Sequence, residues 1–173
     1  ATRAAILHAV PESKLYLKDK QLDHKLGRDR VFSRFAAVDV AAERLILEGR
    51  SSREEYLECY SSVDIALSPF PYGGGTTSAE GLWMGVPVIT NKGSHFLSRL
   101  GESIAHNSGL ADWIASDKEE YVAKAVAHAS NVDALSELRA GMRDRILDTP
   151  LFNVPRFAAH FEQAIKAMWN RIG

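Results

Sequence analysis

The chain has 173 residues, a formal net charge of −1 from 21 basic and 22 acidic side chains, and a hydrophobic share of 46%. This size predicts one domain, spanning residues 1–173, with enough apolar material for a sizeable core, and the balanced charge argues against nucleic acid or an anionic membrane as a partner. Because Cys59 is the single cysteine and no stretch of eighteen apolar residues occurs, we expect a cytoplasmic protein without disulfides.

Short apolar runs alternate with amphipathic segments over the first ninety or so positions. The chain opens inside a helical pattern at residues 1–10, which we interpret as a continuation from a longer upstream sequence. Brief apolar runs predict strands, and apolar spacings of three and four predict helices. The predicted strands are residues 15–17, 45–47, 65–67 and 86–89, and the predicted helices are 28–44, 53–62 and 77–84. This alternation predicts an α/β fold with a parallel sheet covered by helices on both faces.

Helical patterns dominate after about residue 94. One apolar stripe comprises Tyr121, Val122, Ala125, Val126 and Ala129. A second stripe comprises Phe157, Phe161, Ala164, Ile165, Met168 and Trp169. We interpret both stripes as packing faces, and the second needs a large apolar surface to cover it.

A glycine-rich turn at residues 68–80 concentrates the candidate chemistry. A strand ends near Ser68, glycines occupy 73–75, and Thr76 and Thr77 open a helix. Glycines allow close approach of a ligand, and a helix N-terminus offers unpaired N–H groups to a phosphate. The spacing fits neither the dinucleotide fingerprint nor a P-loop. An ordinary strand-to-helix turn with a threonine cap is the alternative to a diphosphate cradle.

Glu80 has two possible roles on the residues alone. Thr77 and Glu80 have the spacing of a capping box, in which the glutamate folds back onto the start of its own helix. A carboxylate beside a phosphate cradle is also suited to accept hydrogen bonds from ribose hydroxyls. The spacing leaves both roles open.

Residues 75–90 resemble the donor-binding segment of the protein O-GlcNAc transferase and SPINDLY family, which are glycosyltransferases of the GT-B fold. Residues 53–57, 63–67, 149–153 and 168–169 match further family motifs in the same order. The resemblance implies a Rossmann-like domain, the C-terminal half of a GT-B enzyme with a helical C-terminal segment. The N-terminal catalytic partner domain would lie upstream of this chain.

The resemblance implies roles for four residues of the turn. Thr76 and Thr77 would hold the diphosphate of a nucleotide sugar, with Gly75 standing where animal members carry a histidine. Glu80 stands where the family has an acidic ribose ligand, so the resemblance favours the ribose role over the capping box.

The resemblance also implies contacts with the base. Arg53 matches a basic residue near the uracil, and Ser51 matches a small residue whose backbone reads the base. Tyr56 replaces a histidine that stacks near the nucleotide, and an aromatic ring can still stack there. Cys59 replaces an arginine of animal members, so that contact is absent.

The implied activity of the intact protein is transfer of a sugar, GlcNAc, from UDP-GlcNAc to serine or threonine hydroxyls of an acceptor protein. No metal cofactor is expected, because the sequence has no Asp-x-Asp motif and its histidines show no ligand spacing. No residue of this chain is assigned as the catalytic base. Lys18, after the first strand, is either a further positive charge near the diphosphate or a surface lysine. The alternatives are a nucleotide-binding module without catalysis and a relative that transfers another sugar, by O-fucosyl or N-glucosyl transfer.

Overall fold

The computed structural model describes residues 2–171, and within them short strands alternate with helices. The strands are β1 Leu15–Lys18, β2 Leu45–Glu48, β3 Ala66–Leu67, β4 Val88–Asn91 and β5 Ile114–Ala115. The helices are α1 Thr2–Ala9, α2 Lys25–Ala36, α3 Arg53–Glu58, α4 Thr76–Trp83, α5 Leu100–Asn107, α6 Lys118–Ala129, α7 Val132–Ala140, α8 Met142–Leu147 and α9 Val154–Trp169. Turns of 3-10 helix join several of these elements, and the turn Cys59–Ser62 extends α3.

All strand pairing among the described residues is parallel. β1 pairs with β2, with Leu15 opposite Leu45. β3, β4 and β5 form a second group in that order, with Ala66 opposite Val88. Parallel neighbours need a crossover connection, and helices supply it here. Within each group the carboxyl ends of the strands therefore lie on one edge, where ligands bind in open α/β sheets.

The core consists of two apolar clusters that share one strand residue. The larger surrounds β4 and includes Ile89, Trp113, Met142 and Ile146, all nearly inaccessible to solvent. The smaller packs α1 against β1 and β2. Leu67 of β3 contacts both clusters, so the strand that leads into the glycine-rich turn is anchored from both sides.

Within residues 2–171, four helices begin with a side-chain cap, whereas α4, like α2, α5 and α8, does not. Ser52, Asp117, Asn131 and Asn153 each accept a hydrogen bond from the backbone N–H three residues ahead. Such caps satisfy one of the unpaired donors at a helix start. The residue before α4 is Gly75, which has no side chain that could accept a hydrogen bond. The backbone N–H groups at the start of α4 therefore have no side-chain cap.

The four predicted strands and the Tyr121 stripe are present, and one prediction needs correction. The predicted helix 28–44 ends at Ala36, because Asp39 adopts a positive φ of 55° and turns the chain so that Val40 enters the smaller cluster. β5 was not predicted, because two residues are too short a run to stand out. The large side chains on the apolar face of α9 are exposed, so the described residues do not cover this face, and its packing against a large apolar surface stays a prediction.

Candidate functional site

The start of α4 presents three backbone donors in sequence. The N–H groups of Gly75, Thr76 and Thr77 meet no acceptor within residues 2–171. The next two, from Ser78 and Ala79, donate to the Gly75 carbonyl at 3.0 and 3.1 Å. Three adjacent unpaired donors at the positive end of a helix are suited to bind an anion such as a phosphate.

Glycine at position 74 allows the turn to close over the first helical residues. A Cβ there would lie 2.6 Å from Oγ1 of Thr77 and 2.8 Å from Oγ of Ser78. The Ser78 hydroxyl donates to the Gly74 carbonyl at 2.9 Å, and the Gly74 N–H donates to Oγ of Ser68 at 3.1 Å. These bonds hold the glycine segment against both the end of β3 and the start of α4.

The threonine side chains of this turn face solvent. Thr76 and Thr77 are both exposed, and the first turn of α4 carries no acidic residue. A Cβ on Gly75 would lie 3.0 Å from Cδ2 of Leu100, so a larger residue there would press on the side chain of the first residue of α5. The donors and hydroxyls therefore form an open cradle with no negative charge in its first turn.

Glu80 turns away from the start of its helix. Its carboxylate accepts a hydrogen bond from the Tyr56 hydroxyl at 3.0 Å and forms a salt bridge with Arg53 at 2.8 Å. The capping box proposed for Thr77 and Glu80 is therefore wrong for this structure. A capping box does form one helix earlier, where Ser52 and Glu55 exchange backbone bonds of 3.2 and 2.9 Å.

The Tyr56 side chain lies between Arg53 and α4. The Arg53 guanidinium carbon lies 5.5 Å from the centre of the Tyr56 ring, within the range of a cation–π contact. Burial, followed by the contacts with Tyr60 and Glu80, raises the pKa of the Tyr56 hydroxyl above its ordinary value. Tyr56 is therefore protonated near neutral pH and donates to the Glu80 carboxylate.

The remaining predicted residues lie around this group without joining it. Ser51 is exposed in the loop between β2 and α3, and its hydroxyl lies 3.3 Å from the Ser52 carbonyl. The Cys59 thiol donates to the Tyr56 carbonyl at 2.8 Å, which gives it a structural contact. Lys18 forms a 3.0 Å salt bridge with Glu48, so its charge is already paired.

Tyr60 belongs to the same group and was missed in the sequence. Its hydroxyl lies 3.0 Å from that of Tyr56 and donates to the Thr77 carbonyl at 3.2 Å. The available signal was the spacing of four between two tyrosines, which places them on one helix face. That spacing does not reveal which helix the pair faces.

Two further properties of the described chain concern ligands and membranes. No group of three or more His, Cys, Asp or Glu side chains in residues 2–171 is arranged to hold a metal ion. In the same residues, the helices are too short or too polar to span a bilayer.

Comparison with known proteins identifies the relatives of this chain. Residues 1–161 match the sequence model of glycosyl transferase family 41. The chain is 37% identical over 169 residues to a probable UDP-N-acetylglucosamine–peptide N-acetylglucosaminyltransferase, SPINDLY, of Arabidopsis thaliana, covering 97% of this chain and 18% of that protein. It is 30% identical to the SEC protein of the same plant, over 95% of this chain and 17% of SEC. The chain thus spans about a fifth of the length of these relatives.

A solved structure shows the same architecture. A variant of the O-GlcNAc transferase of Thermobaculum terrenum superposes with a TM-score of 0.90 at 32% identity, over 97% of this chain and 32% of that one. This match confirms the predicted α/β fold as the C-terminal half of a GT-B glycosyltransferase. On sequence and structure together, the chain belongs to glycosyl transferase family 41.

Proposed function

We propose that this chain binds the nucleotide-sugar donor in an enzyme that transfers GlcNAc from UDP-GlcNAc to serine or threonine hydroxyls of proteins. Family membership supports the reaction class, and the names of the relatives in Arabidopsis specify a UDP-N-acetylglucosamine donor and a peptide acceptor. The observation that carries the proposal for this chain is the row of unpaired N–H groups at Gly75, Thr76 and Thr77.

The diphosphate would occupy this cradle. Transfer of the sugar leaves negative charge on the departing diphosphate, and fixed donors stabilise such charge without having to reorganise. The N-terminus of α4 and the Thr76 and Thr77 hydroxyls supply donors of this kind. We propose that these groups stabilise the leaving diphosphate without a metal ion.

The nucleoside would extend from the cradle toward α3. Glu80 lies one turn along α4, and a carboxylate accepts hydrogen bonds from two neighbouring ribose hydroxyls. Arg53 and Tyr56 flank it, where a guanidinium and an aromatic ring suit the edge and face of a uracil. The backbone of Ser51, in the loop just before α3, would read the base.

The catalytic base would come from a partner domain on the N-terminal side of this region in the intact protein. None of the residues gathered at the cradle has the position and chemistry of a base for an acceptor hydroxyl. The acceptor protein would then bind in the cleft between the two domains. The single, reduced cysteine fits a cytoplasmic enzyme.

Calorimetric titration of the chain with UDP, UMP and GDP tests donor binding. We expect UDP to bind more tightly than UMP, because the second phosphate reaches the N–H groups of the cradle, and more tightly than GDP. Equal affinities for UDP and UMP would show that the diphosphate cradle is wrong.

A transfer assay separates an enzyme from a binding module without catalysis. The intact protein that carries this chain should transfer sugar from UDP-GlcNAc to a peptide, and the isolated chain should not. Transfer by the isolated chain would contradict the upstream base. Binding of UDP without transfer by the intact protein would favour the binding module.

A further inference from the structure

Tyr60 lies between the two halves of the proposed donor site. On one side its hydroxyl reaches the carbonyl of Thr77, a residue of the diphosphate cradle, at 3.2 Å. On the other side it lies 3.0 Å from the hydroxyl of Tyr56, which in turn donates to Glu80. A chain of short contacts therefore runs from the cradle to the proposed ribose ligand.

A count of protons fixes the direction of these bonds. Two hydroxyls with two hydrogens serve three contacts. The hydrogen of Tyr56 goes to the Glu80 carboxylate, whose oxygens accept hydrogen bonds. Because Tyr56 has no second hydrogen, only Tyr60 can donate in the 3.0 Å contact between the two hydroxyls, and the Thr77 carbonyl at 3.2 Å is its other acceptor. When a hydroxyl accepts one hydrogen bond, its own donation becomes stronger, so Tyr60 strengthens the bond from Tyr56 to Glu80.

The Tyr60 ring is held by packing, independently of its hydroxyl. It meets the Tyr56 ring edge to face, with centroids 5.7 Å apart. It also lies against α4 at Gly81, where an added Cβ would come within 3.3 Å of Cε1 of Tyr60. Loss of the hydroxyl alone should therefore leave the ring in place.

The two oxygens of Glu80 are held from different sides. Arg53 binds Oε1 at 2.8 Å, and Tyr56 binds Oε2 at 3.0 Å. The guanidinium comes from a side chain that is 64% exposed, whereas the tyrosine pair is partly buried. The tyrosine side is thus the more rigid constraint on the orientation of the carboxylate.

We propose that Tyr60 is a positioning residue for the donor: acting through Tyr56, it orients the Glu80 carboxylate toward the ribose hydroxyls. This inference rests on the proposed function, because it takes Glu80 to be the ribose ligand. It adds to the site a residue whose hydroxyl contacts protein groups, the Tyr56 hydroxyl and the Thr77 carbonyl, and would act on the ligand through them.

The test compares UDP with 2′-deoxy-UDP, which lacks one ribose hydroxyl, in calorimetric titrations of the wild-type chain and of Tyr60→Phe. The wild type should prefer UDP. In Tyr60→Phe the affinity for UDP should fall by roughly five-fold, the scale of one net hydrogen bond, while the affinity for 2′-deoxy-UDP, which keeps only one of the two hydroxyls assigned to Glu80, should fall by less. The preference for the ribonucleotide therefore shrinks. An equal loss for both ligands would indicate a merely structural role and overturn the proposal.

A double variant tests the route through Tyr56. If Tyr60 acts through Tyr56, the double variant Tyr56→Phe/Tyr60→Phe should show the same ligand preference as Tyr56→Phe alone. Additive losses of preference would contradict this route. Tyr16→Phe is the matched control, because it also removes a hydroxyl bonded to a carboxylate, that of Glu48, and should leave the preference unchanged.

The outcomes separate this inference from the proposed function. Suppose that the wild-type chain prefers UDP to 2′-deoxy-UDP and that Tyr60→Phe shows the same preference as the wild type. This result refutes the role of Tyr60 and leaves the proposed function standing. A wild-type chain that binds the two ligands equally refutes the ribose assignment of Glu80, and the role of Tyr60 is refuted with it.

Discussion

Arg53 and Glu80 form a salt bridge of 2.8 Å that joins the first residue of α3 to the middle of α4. The two partners differ in exposure, with 64% of the Arg53 side chain and 15% of the Glu80 side chain accessible. The pair therefore lies at the edge of the site, with the carboxylate held inside and the guanidinium facing solvent. This arrangement explains why Glu80 does not cap its own helix.

Arg53→Gln should weaken nucleotide binding with little effect on stability. The Arg53 end of the ion pair is exposed and Tyr56 still donates to Glu80 in the variant, so the free energy of unfolding should fall by about 1 kcal/mol or less. We expect UDP affinity to fall by about five-fold, since Arg53 both restrains Glu80 and lies beside the proposed base position. Urea unfolding and calorimetry measure the two effects. Arg50→Gln is the matched control, because Arg50 is similarly exposed and pairs with Asp23 instead.

Thr77→Val should weaken binding of UDP by about 1–2 kcal/mol, the scale of a lost hydrogen bond to a charged group. Valine keeps the branched shape of threonine, and the Thr77 side chain is exposed, so the start of α4 should persist. Calorimetry with UDP and UMP measures the effect. Because the hydroxyl is assigned to the diphosphate, the loss should be larger for UDP than for UMP. An equal loss for both nucleotides would contradict that assignment.

Gly101→Ala should destabilise the fold strongly, by roughly 1–3 kcal/mol or more. Gly101 is buried where α5 crosses β4, and an added Cβ would lie 2.0 Å from Oγ1 of Thr90 and 2.9 Å from its Cβ. Neither neighbour is the free end of a flexible side chain, so the helix must move off the sheet. The free energy of unfolding from urea titrations measures the loss.

Gly141→Ala provides the control for this prediction. An added Cβ at Gly141 meets no atom within 4 Å, and the φ of −97° suits any residue. Its stability should be unchanged or higher by about 0.4–1 kcal/mol, because alanine restricts the unfolded chain. Equal effects at positions 101 and 141 would show that contact with Thr90 is not the cause.

His128 should make the stability depend on pH. Its ring stacks on Trp113 with centroids 3.7 Å apart. Burial and the nearby charge of Lys124 lower the pKa of His128 below 6.5, although Asp112 opposes this shift. The unfolded chain therefore takes up a proton near pH 6.5 that the folded chain resists. The contribution of His128 to the free energy of unfolding is therefore fully present above that pH. It declines as the pH falls toward the pKa of His128 in the folded chain.

Urea unfolding of the wild type and of His128→Phe at about pH 7.5 and about pH 5.5 measures this effect. Phenylalanine keeps a flat ring against Trp113 and cannot be protonated. The loss of stability between the two pH values should be smaller in His128→Phe than in the wild type. His106→Gln, at an exposed position, should lose as much stability between the two pH values as the wild type does. A His128→Phe variant with the full wild-type loss would contradict the assignment.

Local patterns determined much of the fold and the cradle. The alternation of short apolar runs with amphipathic segments predicted the parallel α/β architecture, because each element must bury its own apolar face. The glycines before Thr76 and Thr77 predicted a helix start at this turn but left a threonine cap open as the alternative to a phosphate cradle. The resemblance of residues 75–90 to family members then assigned a ligand to that start.

Contacts between segments distant in the chain were decided only by the tertiary structure. The sequence left Glu80 with two roles because a capping box depends on four residues, whereas the bonds to Arg53 and Tyr56 depend on how α3 packs beside α4. The spacing of four between Tyr56 and Tyr60 did not reveal the role of Tyr60, because its partner Thr77 lies seventeen positions away. β5 is too short for periodicity and exists through its pairing with β4. Sequence determines local conformation through short-range sterics and burial, but the partner of a polar side chain is set by the packing of whole elements.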